Sequence, residues 1–246
     1  MSSYLVFSLA ASLGAMGELA GHERRGSLLW PGRSALIGLM GAALGIPRDG
    51  DFSLLDALKI DVAIFASGEG VRDFHTIQAV PSAAVKKPNS RPEALLAAGD
   101  KVETSITLRD YRAGVFYGIA VQGEGLKVIE AALKKPCFTL YLGRKSCPLA
   151  APPHPQIVEA DTVEDALGHI IVPRVPHWFS SFGEEGKLEA RTLVVDGAHS
   201  DEHAPREIVH DVPLDRQRWH FAAREVALRS VSIKAQIAGE TKGEAR

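Results

Sequence analysis

The sequence carries little that by itself announces chemistry. It has two cysteines, Cys137 and Cys147. Their spacing fits neither a CxxC redox pair nor a zinc ribbon, and no second Cys/His pair completes a tetrahedral site. Both are expected to be reduced, buried, small apolar residues in a cytoplasmic protein. A strong charge of one sign is also missing: the formal net charge is -2, so the global balance does not mark a nucleic-acid partner. Long hydrophobic runs are absent too. The most apolar stretch, 35–46, is far too short to span a bilayer and holds three glycines. Residues 1–16 lack the basic start of a signal peptide and read better as the approach to a first strand. No membrane association is expected.

The usual catalytic signatures are equally scarce. No Gly-Lys-Ser/Thr follows a glycine-rich turn, which excludes a Walker phosphate loop. Gly68-Glu69-Gly70 leads into no helical pattern and reads as a hairpin-like turn, not a dinucleotide fingerprint. The nine histidines form no HExxH. His199, His203 and His210 share a polar segment with Asp201 and Glu202, which mimics a metal site but reads as solvated loop. Neither Ser180 nor Ser181 stands in a nucleophile elbow. No metal or organic cofactor is expected.

What is present is an ordinary globular composition, 46% hydrophobic over 246 residues, enough to bury a real core. Charge is unevenly shared: residues 1–150 hold 17 Lys and Arg against 14 Asp and Glu, and 151–246 hold 11 against 16. Because counterion release depends on cations beside each phosphate, the distribution matters more than the total. Residues 4–9 are rich in β-formers and predict a buried first strand. A glycine-studded loop over 11–32 follows, then a helix over 33–44 that Ser34 is expected to cap and Gly45 to close. A short helix over 52–59, a strand over 62–66, a strand over 115–121 and a helix over 126–133 come next, and 139–142 reads as a fourth core strand. Two further strand-like runs, 71–78 and 103–111, flank an insertion at 80–100 rich in Pro and Lys. The pair reads as a long hairpin with a mobile tip.

The order strand, helix, strand, strand, helix, strand predicts an α+β fold with a ferredoxin-like or RRM-like sheet. The expected division is an RRM-like domain over 1–150 with the thumb hairpin inserted at 71–111. A β-rich extension over 151–233 would pack on it, and 234–246 would form a disordered tail. The extension begins with a proline-rich joint at 150–155. Beyond it, a helix is expected over 161–167, a strand at 193–195 and one or two strands over 219–233.

Two stretches are more specific than any of this. One is Trp30-Pro31-Gly32-Arg33-Ser34-Ala35-Leu36-Ile37-Gly38-Leu39-Met40-Gly41-Ala42-Ala43-Leu44-Gly45-Ile46-Pro47-Arg48-Asp49; the other is Tyr141-Leu142-Gly143-Arg144-Lys145-Ser146-Cys147-Pro148-Leu149. With the opening Tyr4-Leu5-Val6, the Met16-Gly17 pair, Arg72-Asp73-Phe74-His75-Thr76, Arg218 and Ala223-Arg224-Glu225-Val226, they resemble the CasD family, the fifth Cas family in its type I-E form. The likeness runs over about 4–230. Pro31-Gly32-Arg33-Ser34 stands where that family usually has Pro-Thr-Arg-Ser, and 80–100 and 155–215 match it weakly. The resemblance implies a repeat-associated (RAMP) fold with a protruding β-hairpin thumb. It further implies a non-catalytic subunit of the Cascade surveillance complex that caps the 5′ handle of the crRNA. Such a subunit abuts the backbone and large subunits and meets target DNA only through the complex.

The residue chemistry agrees with an RNA partner. Arg33 and Ser34 at a helix N-terminus offer a guanidinium, a hydroxyl and free N–H groups to a phosphate. Gly38 and Gly41 leave one helix face bare, which suits close packing better than direct RNA contact. Tyr141, Leu142, Gly143, Arg144, Lys145 and Ser146 put a ring, a flexible turn and two cations in one loop, the equipment that recognises single-stranded RNA. Met16, Gly17, His22, Arg24 and Arg25 on the glycine-rich loop, Arg48 after the helix, and Arg72, His75, Thr76 and Arg109 at the thumb's base complete the candidate set. Lys86, Lys87 and Arg91 at the tip are expected to meet a neighbouring subunit or a distant phosphate. Two alternatives stay open: a metal-independent endoribonuclease using His75, Tyr111 and Lys145, and an RRM-like adaptor outside CRISPR.

Overall fold

A computed structural model describes residues 1–18, 23–173, 188–197, 203–218 and 220–237. The chain begins with strand β1 (Ser2–Gly14), whose residues alternate between two covered faces. Leu5, Phe7, Leu9 and Ala11 enter one core cluster, and Tyr4, Val6 and Ala10 a second. That double burial is why the strand reads as a continuous apolar run without polar alternation. Helix α1 (Arg33–Leu44) is closed by Gly45 at φ 78, a left-handed conformation that only glycine adopts cheaply. Its N-cap is Gly32, with no side-chain capping bond, so the expected Ser34 cap is not made.

After the two-residue strand β2 (Arg24–Arg25), the single turn α2 (Ser53–Asp56) leads into β3 (Lys59–Ala66). Strand β4 (Glu69–Ala79) pairs with the first half of the twenty-residue strand β5 (Glu103–Gln122), whose second half pairs with both β1 and β3. The two runs read separately at 103–111 and 115–121 are thus one strand. Its first half is the thumb and its second half lies at the centre of the core. Arg112 fixes the junction, donating through Nε to the Ser67 carbonyl (2.8 Å) and through Nη2 to that of Gly68. The insertion is not featureless. Its residues 91–98 form helix α3 (Arg91–Ala98), capped by Ser90, whose hydroxyl accepts the Glu93 N–H.

Helix α4 (Leu126–Lys134) buries Leu126, Ile129 and Leu133 against the α1 side of the sheet. The fourth core strand is not 139–142, which makes only a bridge between Tyr141 and Pro148. It is β6 (Gln156–Ala160), beyond the proline-rich joint and antiparallel to β1. The order β6-β1-β5-β3 is that of a ferredoxin-like sheet, whose fourth strand runs to Ala160.

Beyond the short helix α5 (Val163–Leu167) and β7 (Ile171–Val172), the chain returns to the open edge of β3. Strands β8 (Glu189–Asp196), β9 (Arg206–Asp215) and β10 (His220–Lys234) extend the sheet as β3-β8-β10-β9, giving nine strands in one sheet among the described residues. Strand β9 lies in a stretch with no sequence-based strand expectation. Lys234 ends β10, and β11 (Gln236–Ile237) pairs with β7; the rest of the expected tail beyond 237 lies outside the described residues. Of the two free cysteines, Cys147 is buried as expected, but Cys137 is exposed.

Candidate nucleic-acid interface

Three segments far apart in sequence meet at the base of the thumb. The chain just past β1 supplies Ala15, the first half of β5 supplies Tyr111, and the loop 141–148 supplies Cys147, and these three form a small buried cluster of their own. Main-chain bonds lock the loop against the sheet: the Ala15 N–H donates to the Leu142 carbonyl (3.1 Å), and the Leu142 N–H to that of Cys147 (2.8 Å). Gly143 has φ +84, and a Cβ there would lie 1.5 Å from the Ala15 carbonyl oxygen, so no other residue fits without moving the loop. Burial pushes the Cys147 thiol above its ordinary pKa, in keeping with a packing role. Leu142 is buried, whereas Tyr141, Lys145 and Ser146 are exposed on the loop's outside.

The alternation of the strands sorts the candidate residues onto two faces of the thumb's base. Arg72 lies opposite Asp110, Phe74 opposite Leu108, and Thr76 opposite Ile106, so these six share one face. Strand β2 pairs parallel to β5 with Arg24 beside Leu108, which brings Arg24 to the same side. There the Asp110 carboxylate accepts from two guanidiniums. Arg24 donates through Nε (2.9 Å) and Nη2 (2.7 Å), and Arg72 through Nε (2.7 Å) and Nη2 (3.2 Å). The hydrogen bonds from Arg72, then those from Arg24, hold the Asp110 carboxyl down at about 2. Beyond this cluster the face carries Phe74, 70% exposed, and Ile106.

On the opposite face stand Arg109, Tyr111, His75 and Arg25, the last paired with Arg109. The Arg144 guanidinium sits 4.5 Å from the centre of the Tyr111 ring, a cation–π contact, and its Nη1 donates to the Asp110 main-chain carbonyl at 3.5 Å. Arg109 Nε is buried without a hydrogen-bond partner. Met16 and Gly17 border this side, the Met16 N–H donating to Ser27 Oγ (3.0 Å). His75 pairs with Thr107, four residues along the strand from Tyr111. That places their backbone positions about 13 Å apart at 3.3 Å per residue.

Arg33 and Ser34 belong to another place. The Arg33 N–H, at the start of α1, donates to the Asp211 carboxylate of β9 (2.7 Å), and the Arg33 guanidinium donates to the Asp56 carbonyl (2.6 Å). Burial and the neighbouring Arg224 pull that guanidinium below its ordinary pKa. Arg224 forks onto the same Asp211 with two 2.9 Å bonds. The helix N-terminus proposed for a phosphate therefore already holds a carboxylate. Gly41 accommodates the Phe52 ring, on whose face Arg216 lies at 4.1 Å, while Gly38 is open to solvent. Arg48 is exposed beyond the other end of α1. His22 lies outside the described residues, as do His199, Asp201 and Glu202 of the histidine-rich segment. Among the described residues no group of three or more His, Cys, Asp or Glu is placed to hold a metal.

Sequence reasoning passed over Asp110 and Phe74. The available signal was the spacing of Arg72, Phe74 and Thr76, which shares one strand face, together with an acid next to Arg109.

This geometry can be set beside known proteins. The family model described as CRISPR-associated protein (Cas_Cas5) matches residues 4–227. The chain belongs to this Cas5 family. A curated relative, the CRISPR system Cascade subunit CasD of Escherichia coli (strain K12), is 32% identical over 169 residues, covering 62% of this chain and 70% of the relative. A solved chain described as a CRISPR RNA-guided surveillance complex superposes with a TM-score of 0.65 at 24% identity, covering 97% of this chain and 95% of the other. A second, described as a crystal structure of a Cas protein, gives 0.60 at 24%, with 94% and 95% covered. The Cas5 match spans the core sheet, the thumb and most of β10, so the thumb and the extended sheet lie within the family's span.

Proposed function

We propose that this Cas5-family chain is a non-catalytic subunit of a type I-E Cascade surveillance complex and grips the 5′ handle of the crRNA at the base of its thumb. The observation that carries the reading is the pair of guanidiniums, Arg24 and Arg72, that the Asp110 carboxylate holds half-exposed on one face, with the exposed Phe74 ring beyond them. Arg144 and the Tyr141 loop stand on the other face, where Arg144 reaches the Asp110 main-chain carbonyl. Half-exposed guanidiniums suit phosphates, and exposed rings suit unpaired bases. The family membership and the CasD relative supply the assembly. In this reading the protein partners are the backbone and large subunits, and Lys86, Lys87 and Arg91 on the insertion meet a neighbouring subunit or a distant phosphate. The setting is the cytoplasm, and target DNA is met through the complex.

The endoribonuclease alternative needs His75, Tyr111 and Lys145 around one phosphodiester. That His75 and Tyr111 stand four residues apart along the β4–β5 pair, and that Arg144 lies over the Tyr111 ring, favours the non-catalytic reading. The test is to incubate the purified chain with labelled repeat RNA and follow both mobility and product length. Tight, salt-sensitive binding of intact RNA is the expected result. Metal-independent cleavage at one phosphodiester would replace this reading with the enzymatic one.

A further inference from the structure

We infer that Asp110 is a positioning residue for RNA: an acid inside a basic site that sets the geometry of the Arg24 and Arg72 guanidiniums. The inference rests on the RNA reading above. An acidic residue among arginines ordinarily weakens RNA binding, since it repels phosphate and lowers local charge. Here the geometry argues the reverse. Both arginines meet the carboxylate side-on, through Nε and Nη2. Each Nη1, with both its hydrogens, is left for another acceptor. The side chains remain accessible, 59% exposed for Arg24 and 47% for Arg72, while Asp110 is 15% exposed beneath them.

Without the carboxylate, two like charges on the strands that flank β5 would repel, and each long side chain would sample many rotamers. With it, the two forks stand side by side around one anion and keep a net charge of +1. Arg24 depends on this contact more than Arg72 does, because it rides on a strand of only two residues. The Asp110 main-chain carbonyl also receives Arg144, so one residue registers the thumb, β2 and the 141–148 loop against one another. The ligand that fits is a phosphate of single-stranded RNA held in one orientation, which is the difference between specific and indiscriminate grip.

The sign of one substitution tests this. Full-length wild type, Asp110→Asn and the double variant Arg24→Ala/Arg72→Ala are titrated with the handle RNA of the host's own repeat and with a scrambled RNA of equal length, at several salt concentrations. Asp110→Asn removes a negative charge, yet the expected result is about tenfold weaker handle binding with scrambled-RNA binding unchanged or tighter. The double alanine variant should weaken both and flatten the salt dependence by about 0.7 per lost phosphate contact. If Asp110→Asn binds the handle as tightly as wild type or more so while the double variant weakens it, the positioning role is wrong and the RNA reading stands. If the double variant also binds unchanged, the RNA reading of this face fails first. Should Asp110→Asn melt early, Arg24→Lys/Arg72→Lys keeps the charge but not the fork. That variant must then show the same handle-selective loss, and normal handle binding by it would overturn the inference.

Discussion

Two arginine–aspartate clusters in this molecule use the same chemistry for opposite ends. At the head of α1, Asp211 is 3% exposed, and it accepts from the Arg33 main chain and both arms of Arg224. At the base of the thumb, Asp110 holds Arg24 and Arg72, whose side chains stand in solvent. The buried cluster aims its donors at protein acceptors and ties the sheet extension to α1. The exposed one leaves donors unused. Identical residue types thus end up buried as structure or exposed at the proposed RNA grip according to where the fold puts them, and burial is the difference between the two.

The sharpest break of this comparison is at the buried end. Asp211→Ala takes from Arg224 both hydrogen bonds of its fork, leaving Asp196 at 3.8 Å, and takes from the first N–H of α1 its acceptor. It should cost about 2–4 kcal/mol in denaturant unfolding. A third aspartate extends the contrast with the opposite sign. Asp61 is 1% exposed, its Oδ1 has no partner and Lys59 Nζ is 4.0 Å from Oδ2, so burial pushes its carboxyl up to about 6. A folded-state pKa above the unfolded value means that the native protein binds the extra proton. Stability then falls as pH rises between about 4 and 6, and the loss is complete above that window. Asp61→Asn should recover roughly 2–3 kcal/mol at pH 8 and almost nothing at pH 4, read from melts across that range.

At the exposed end the effects divide differently. Arg72→Ala should lower stability by less than about 1 kcal/mol, because exposed ion pairs contribute little. Its handle affinity should drop by about 1–3 kcal/mol, with a shallower salt dependence in titrations. An RNA affinity that moved only in step with stability would erase the distinction between the clusters. The smallest effect is expected from Ser34→Ala: with no capping bond to lose, unfolding should shift by under about 0.5 kcal/mol and RNA binding not at all.

Much of the fold could be read locally. The bounds of α1, its glycine stop and the apolar stripe of α4 all follow from neighbours within a few residues. Helix α3 was legible as well, since Ser90-Arg91-Pro92-Glu93 has the capping-box spacing, but the surrounding prolines and lysines obscured it. The fourth core strand was misplaced because Thr139-Leu140-Tyr141-Leu142 has better β-formers than the five residues of β6 that pair with β1. Strand β9 was missed because it is an edge strand carrying Pro213 and several charges, the composition by which edges resist pairing with other chains. At the candidate site, the thumb-base residues and the 141–148 loop were legible by residue type and motif. By residue type Arg33 and Ser34 suit a phosphate, and nothing local signals that Asp211, 178 positions later, meets the helix end.

The sequence by itself determined the periodic elements, the family likeness and the residue types from which an RNA grip is made, because these depend on short-range pattern. Only the tertiary structure decided which arginines remain free to use. Partnership across 86 positions for Arg24 and Asp110, or 178 for Arg33 and Asp211, is set by strand pairing, which no local propensity encodes.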